Sequence, residues 1–332
     1  MALEDSDGLE PETLIHDVIK DIEHPVNVIE NIIEDVFHAP KGNGSSASGH
    51  AYGHIPDIPD PRDLKYDPST EPTLAGPSGG LVQSHLPPIW NQQTIGSCTA
   101  HGVLRAFVHQ LIRAGIALPP TPPYVTGHGY PAPFSRLQQY YNERLLEGTV
   151  SSDSGAQVRD AFRALAKYGV APETVWPYNV SQFTVNPPQN AQTLALKNEL
   201  LKYHSLTPTG SAGGPETVAL SNGKAIVFGF NVPQYFEQPD SVAAWDPTQT
   251  TPLPVPPADY QNWIGGHCVV ATYYNYSDSP VDTPFGITLP PHSLLIDNSW
   301  DVDWGIGGRF VMDAGWFASQ FASSFWVVDT AK

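Results

Sequence analysis

The chain has two cysteines, and one of them, Cys98, closes the run Trp90-Asn91-Gln92-Gln93-Thr94-Ile95-Gly96-Ser97-Cys98 directly ahead of an amphipathic segment. Val103, Leu104, Phe107, Val108, Leu111 and Ile112 recur at three- and four-residue intervals, which predicts a helix from the cysteine to Gly115. A thiol at a helix N-terminus faces unpaired N–H groups and the positive end of the helix dipole, so thiolate is favoured there. Gly96 permits close backbone approach, and Ser97 is of a type that caps helices. Local sequence leaves two readings open: a nucleophile, or a small buried hydrophobe. A thiolate nucleophile also needs a base, a group to orient that base, and donors for an oxyanion. Downstream stand Gly265-Gly266-His267-Cys268-Val269-Val270 and Leu294-Leu295-Ile296-Asp297-Asn298-Ser299-Trp300, and Gln92 lies six residues before the cysteine.

The order Cys, His, Asn with a preceding glutamine resembles the papain-like cysteine peptidases, over about residues 56–332. The resemblance implies that Cys98 is the nucleophile, paired with His267 as thiolate and imidazolium. It implies that Asn298 orients the imidazole, that Trp300 shields their contact from water, and that Gln92 donates to the oxyanion beside the Cys98 N–H. Ser154 and Gly155 would line the cleft and, with the carbonyl of Gly266, bond the substrate backbone. Ala156, Phe228 and Gly265 are the residues expected to wall the main side-chain pocket. The activity implied is peptide-bond hydrolysis through a thioester, without metal or cofactor. Acyl transfer or peptide ligation on the same triad is one alternative, and a catalytically silent papain-like binding module is another.

Departures from the family pattern are specific. Ile95 and Thr99 replace a cysteine and an aromatic residue that flank the nucleophile in the papain signature. The position that would pair with the missing cysteine falls near Ser152, so a branch without that disulfide is expected. His267 and Asn298 follow Cys98 by 169 and 200 residues, against about 130 to 150 in the signature. Proline-rich insertions at residues 119–133 and 233–257 are the expected location of the excess.

The elements that must position these residues read as α+β, and the resemblance implies that they form a two-lobed fold. A mainly helical half, residues 76–200, carries the Cys98 helix and a second helix after Gly155. A twisted antiparallel β half, residues 201–332, faces it across a cleft. Strands are predicted at 225–230, 267–274, 294–298, 309–313 and 324–328. Cys268, one residue after His267 on a strand, belongs to the opposite face and to core packing. His50 and His54, like His101 and His109, lack a convergent ligand set, and Gly305-Ile306-Gly307-Gly308 has no helix after it to make a phosphate loop.

Residues 1–75 carry sixteen acidic and four basic residues, net −12 of the chain's −18. That sign argues against nucleic acid as a partner, and no apolar run is long enough for a membrane helix. Ile15, Val18, Ile19 and Ile22, then after Pro25 the residues Val28, Ile29, Ile32, Ile33 and Val36, predict two short helices before a flexible Lys41-Gly42-Asn43-Gly44 stretch. Residues 1–75 are therefore a candidate inhibitory pro-region, or else a packing appendage that is never removed. The acidic N-terminus is unlike a secretory signal, and with no disulfide framework an intracellular location is favoured. The expected partners are peptide or protein substrates.

Overall fold

A computed structural model describes residues 49–73, 75–125, 129–238 and 242–331. The two N-terminal helices expected from the sequence lie outside these residues. The described residues belong to one compact unit, Pro40–Lys332.

Five α-helices are present among the described residues: α1 Cys98–Arg113, α2 Arg136–Glu147, α3 Val158–Tyr168, α4 Gln189–Ala195 and α5 Pro215–Ser221. The strands are β1 His54–Ile55, β2 Ser78–Gly80, β3 Ala156–Gln157, β4 Leu200–Ser205, β5 Ile226–Pro233, β6 Trp263–Asn275, β7 Val281–Asp282, β8 Thr288–Leu289, β9 Ser293–Asp297, β10 Arg309–Asp313 and β11 Ala322–Ala331. The main sheet is antiparallel in the order β10-β9-β6-β5-β11-β4, with β2 added on β6. The fold is α+β, as the sequence pattern implied. β4 was not anticipated, because Leu200-Leu201-Lys202-Tyr203-His204-Ser205 forms a half-exposed edge strand without an apolar face.

Helix α1 is buried from Cys98 through His109, more than an amphipathic surface helix would be. It packs on the sheet on one side and on α2 and α3 on the other. Gly102 permits the contact with the sheet: a Cβ there would lie 3.1 Å from Cys268 Sγ and 3.3 Å from Val227 Cγ1. Cys268 is thus buried against α1, on the sheet face opposite to that of His267. The expected Ser97 cap is not made. Its hydroxyl is drawn instead to Tyr178 Oη at 2.7 Å, and Tyr178 in turn donates to the Gln92 carbonyl.

A buried charge cluster ties these layers together. Asp297, at the end of β9, accepts from Arg105 Nε of α1 and from Arg309 Nε of β10, each at 2.7 Å. Arg105 Nη1 also donates to the carbonyls of Pro87 and Pro88. Because Asp297 immediately precedes Asn298, the cluster fixes where the chain leaves the sheet. Asp297→Ala leaves Arg105 buried and unpaired, and a loss of about 3–5 kcal/mol is expected in urea denaturation. Lys202→Ala removes only a half-exposed partner of Asp329 and is expected to cost about 1 kcal/mol or less in the same measurement.

Candidate active site

Cys98 begins α1, and the backbone N–H of Cys268, next to His267 on β6, is directed at its sulfur. His267 Nε2 donates to Asn298 Oδ1 at 2.7 Å. The same oxygen accepts the Ser299 N–H at 2.8 Å, which fixes the amide and hence the ring tautomer. The other ring nitrogen, Nδ1, is buried without a hydrogen-bond partner among the described residues. It is the atom left to exchange a proton. Trp300 lies over the imidazole, ring centroids 4.9 Å apart.

Gln92 is held by the Asn298 segment. Its N–H donates to the Ser299 carbonyl at 2.8 Å, and its Oε1 accepts from Ser299 Oγ at 2.6 Å. The side-chain amide is thereby turned so that Nε2 donates to the carbonyls of Ala51, at 2.8 Å, and Ile95, at 3.0 Å. The amide expected to serve an oxyanion is occupied here by a carbonyl of the chain's own N-terminal segment.

That segment fills the cleft. Gly53 accepts from the Ala156 N–H at 2.8 Å, and β1 pairs in parallel with β3. A Cβ on Gly53 would lie 1.7 Å from the Gly96 carbonyl oxygen, and one on Gly155, at φ +71°, would lie 2.1 Å from the Gly53 carbonyl oxygen. Ser154 is at the cleft's edge, its hydroxyl bonded to Thr149 Oγ1 and to the Gly155 carbonyl. Gly266 faces His54, with a would-be Cβ 2.4 Å from the His54 carbonyl oxygen. The His54 ring packs against Gly229, where a Cβ would be 2.0 Å away, and its Nε2 is 3.3 Å from Ser324 Oγ. Phe228, expected in the pocket wall, is in the core stacked on Phe325. One residue along the strand, Gly229 presents the opposite face to the pocket.

The electrostatics differ from the expected ion pair. Burial pushes the Cys98 thiol up to about 12, with nearby Glu143 adding to the rise, although N–H groups of Cys268 and Gly53 pull the other way. Burial likewise depresses His267 to about 4, against the Asn298 hydrogen bond that raises it. With water excluded by residues 51–55, thiol and imidazole are both neutral at pH 7. The helix dipole is outweighed by desolvation.

Among curated proteins, an uncharacterized peptidase C1-like protein of Acanthamoeba polyphaga mimivirus is 33% identical over 244 residues, covering 72% of this chain and 68% of that protein. The chain is a papain-like cysteine peptidase. Xylellain, a cysteine protease from Xylella fastidiosa, superposes with a TM-score of 0.66 at 28% identity, over 88% of this chain and 98% of that one. Digestive procathepsin L 3 of the Tenebrio molitor larval midgut shares the fold, with a TM-score of 0.53 at 14% identity over 98% of this chain and 95% of that one. No protein-family model matches.

Sequence reasoning missed the cleft role of residues 50–55 in this peptidase. His50-Ala51-Tyr52-Gly53-His54-Ile55 has no period, and its signal was the lone glycine between two large rings. His50 stacks on Trp300 with centroids 4.0 Å apart, and Tyr52 meets His267 edge-on at 5.7 Å. Iodoacetamide is expected to modify Cys98 slowly in the native chain at pH 7.5, and much faster in Gly53→Val, whose added side chain cannot lie on Gly96. Intact-mass kinetics measure both rates; equal rates would contradict the closed cleft.

Proposed function

We propose that the peptidase cleaves peptide bonds through Cys98, His267 and Asn298, and that residues 49–57 hold it latent. The observation that carries the second part is the Ala51 carbonyl on the Gln92 amide, with Gly53 laid over Cys98. The Gly53 N–H, a donor, is directed at the sulfur, and the segment runs parallel to β3.

Once the segment leaves, water and substrate enter, and the desolvation that held the pair neutral is relieved. His267 Nδ1 takes the thiol proton, and Cys98 attacks the scissile carbonyl. The oxyanion is held by the freed Gln92 Nε2 and the Cys98 N–H. His267 then gives its proton to the leaving amine, and later activates the water that opens the thioester. Asn298, being neutral, holds the ring without competing for its charge.

Latency is testable on the full chain with a casein substrate. Gly53→Val is expected to hydrolyse it at least tenfold faster than the native chain, because removing one catalytic-site blockade of about 1.4 kcal/mol already gives that factor. Gly53→Val combined with Cys98→Ala is expected to be inactive. Activity surviving that combination would refute the thiol mechanism, and equal activity with and without Gly53→Val would refute latency.

Release is also expected to depend on pH. Burial lowers His54 to about 3 in the docked segment, with His267 adding repulsion, and it lowers His50 too. A released histidine titrates near 6.5. Docking is therefore strongest above pH 6.5 and weakens as pH falls from 6.5 toward 3, since the free segment takes up protons that the docked one refuses. Asp57 opposes this, because burial raises its carboxyl and favours the acid in the docked state. The lag before activity is expected to shorten after a jump from pH 7.5 to 5, and His54→Phe should lose most of that acceleration.

A further inference from the structure

We infer that Glu237 builds a substrate subsite at the Trp300 end of the cleft, selective for a long side chain with an apolar shaft and a cationic tip: lysine or arginine. This rests on the reading that residues 49–57 stand where substrate binds.

The occupant of that place is Tyr52. Its side chain is 1% exposed, with its ring edge-on to His267 at 5.7 Å and to Trp300 at 5.9 Å. Gly265 leaves room for it, since a Cβ there would be 2.7 Å from Tyr52 Cβ. At the far end the phenol donates to Glu237 Oε1. The subsite is thus an aromatic-walled slot closed by a carboxylate.

The carboxylate is held on a firm base. Glu237 follows the 3-10 turn Gln234–Phe236, and its N–H donates to the Gln234 carbonyl. Phe236 packs against Trp300 and Trp304, each at 5.7 Å, and stacks on Trp245 at 5.0 Å. Glu237 makes no ion pair with lysine or arginine among the described residues, and the side chains drawn to it there, Tyr52 and His50, both belong to the segment. When the segment leaves, both go with it. The half-buried carboxylate is left needing a donor.

A lysine or arginine shaft can lie along Trp300, where the ring face attracts a cation. Its tip replaces the phenol with a charge-assisted bond, about twice as strong as a neutral one. A tyrosine fits the same slot less tightly, and phenylalanine, norleucine and glutamate leave the carboxylate unsatisfied or repelled. At about 1.4 kcal/mol per decade, one such bond corresponds to roughly tenfold selectivity.

The test uses the full chain carrying Gly53→Val, with Tyr52→Ala as a second way of emptying the slot. Peptides differing at single positions around the cleaved bond are compared by kcat/KM. At one position lysine or arginine should exceed norleucine roughly tenfold, with tyrosine above phenylalanine. Glu237→Gln should bring the lysine-to-norleucine ratio to within about twofold. The same ratios should appear in binding to the chain that also carries Cys98→Ala, read by fluorescence polarisation. Selectivity retained in Glu237→Gln, or no position that prefers a cation, would overturn the subsite. Hydrolysis without selectivity sinks the subsite alone; selective binding without hydrolysis sinks the peptidase mechanism alone.

Discussion

Gly53 has no side chain, and the closed cleft depends on that. Its backbone lies against the backbones of Gly96 and Gly155, and a single added carbon would stand 1.7 Å from the Gly96 carbonyl oxygen. Only glycine lets two chains approach so closely. Around this contact the other features arrange themselves: the Ala51 carbonyl reaches Gln92, the His54 ring reaches Gly229, and Tyr52 reaches Glu237. Two polar groups of the cleft, the Gln92 amide and the Glu237 carboxylate, are thereby satisfied by the segment.

The closed cleft sets the charge state of the pair it covers. A helix N-terminus and a neighbouring imidazole ordinarily favour thiolate, yet here desolvation raises Cys98 and lowers His267. Removing water costs each charged form more than the dipole returns. A neutral thiol is a poor nucleophile, so covering the site and lowering its intrinsic reactivity are one physical event. In the closed cleft the Asn298 hydrogen bond holds the ring in one tautomer, with Nδ1 left unpaired.

Much of this was legible in the residues. The three- and four-residue spacing after Cys98 gave the helix, the apolar runs gave β5, β6, β9, β10 and β11, and the Cys, His, Asn order gave the candidate site. What escaped were features without a period. β4 is an edge strand that exposes Leu201 and Lys202. Ser97, at a capping position, is bound elsewhere because Tyr178 arrives from 81 residues away in sequence. Phe228 and Gly229 exchange roles because neighbouring strand residues face opposite ways. Above all, a six-residue stretch of mixed rings and one glycine carries no local preference, and its place is fixed wholly by the cleft it enters.

The thiolate absorbance of Cys98 near 240 nm, followed from pH 4 to 10 against a Cys98→Ala reference, tests the central claim most directly. In the native chain no thiolate should develop at neutral pH, because the covered thiol titrates at about 12. In Gly53→Val the signal should already be present below pH 7, as expected for a thiolate paired with an imidazolium. The same titration curve in both proteins would contradict the account, since the segment would then have no hold on the charge of the site.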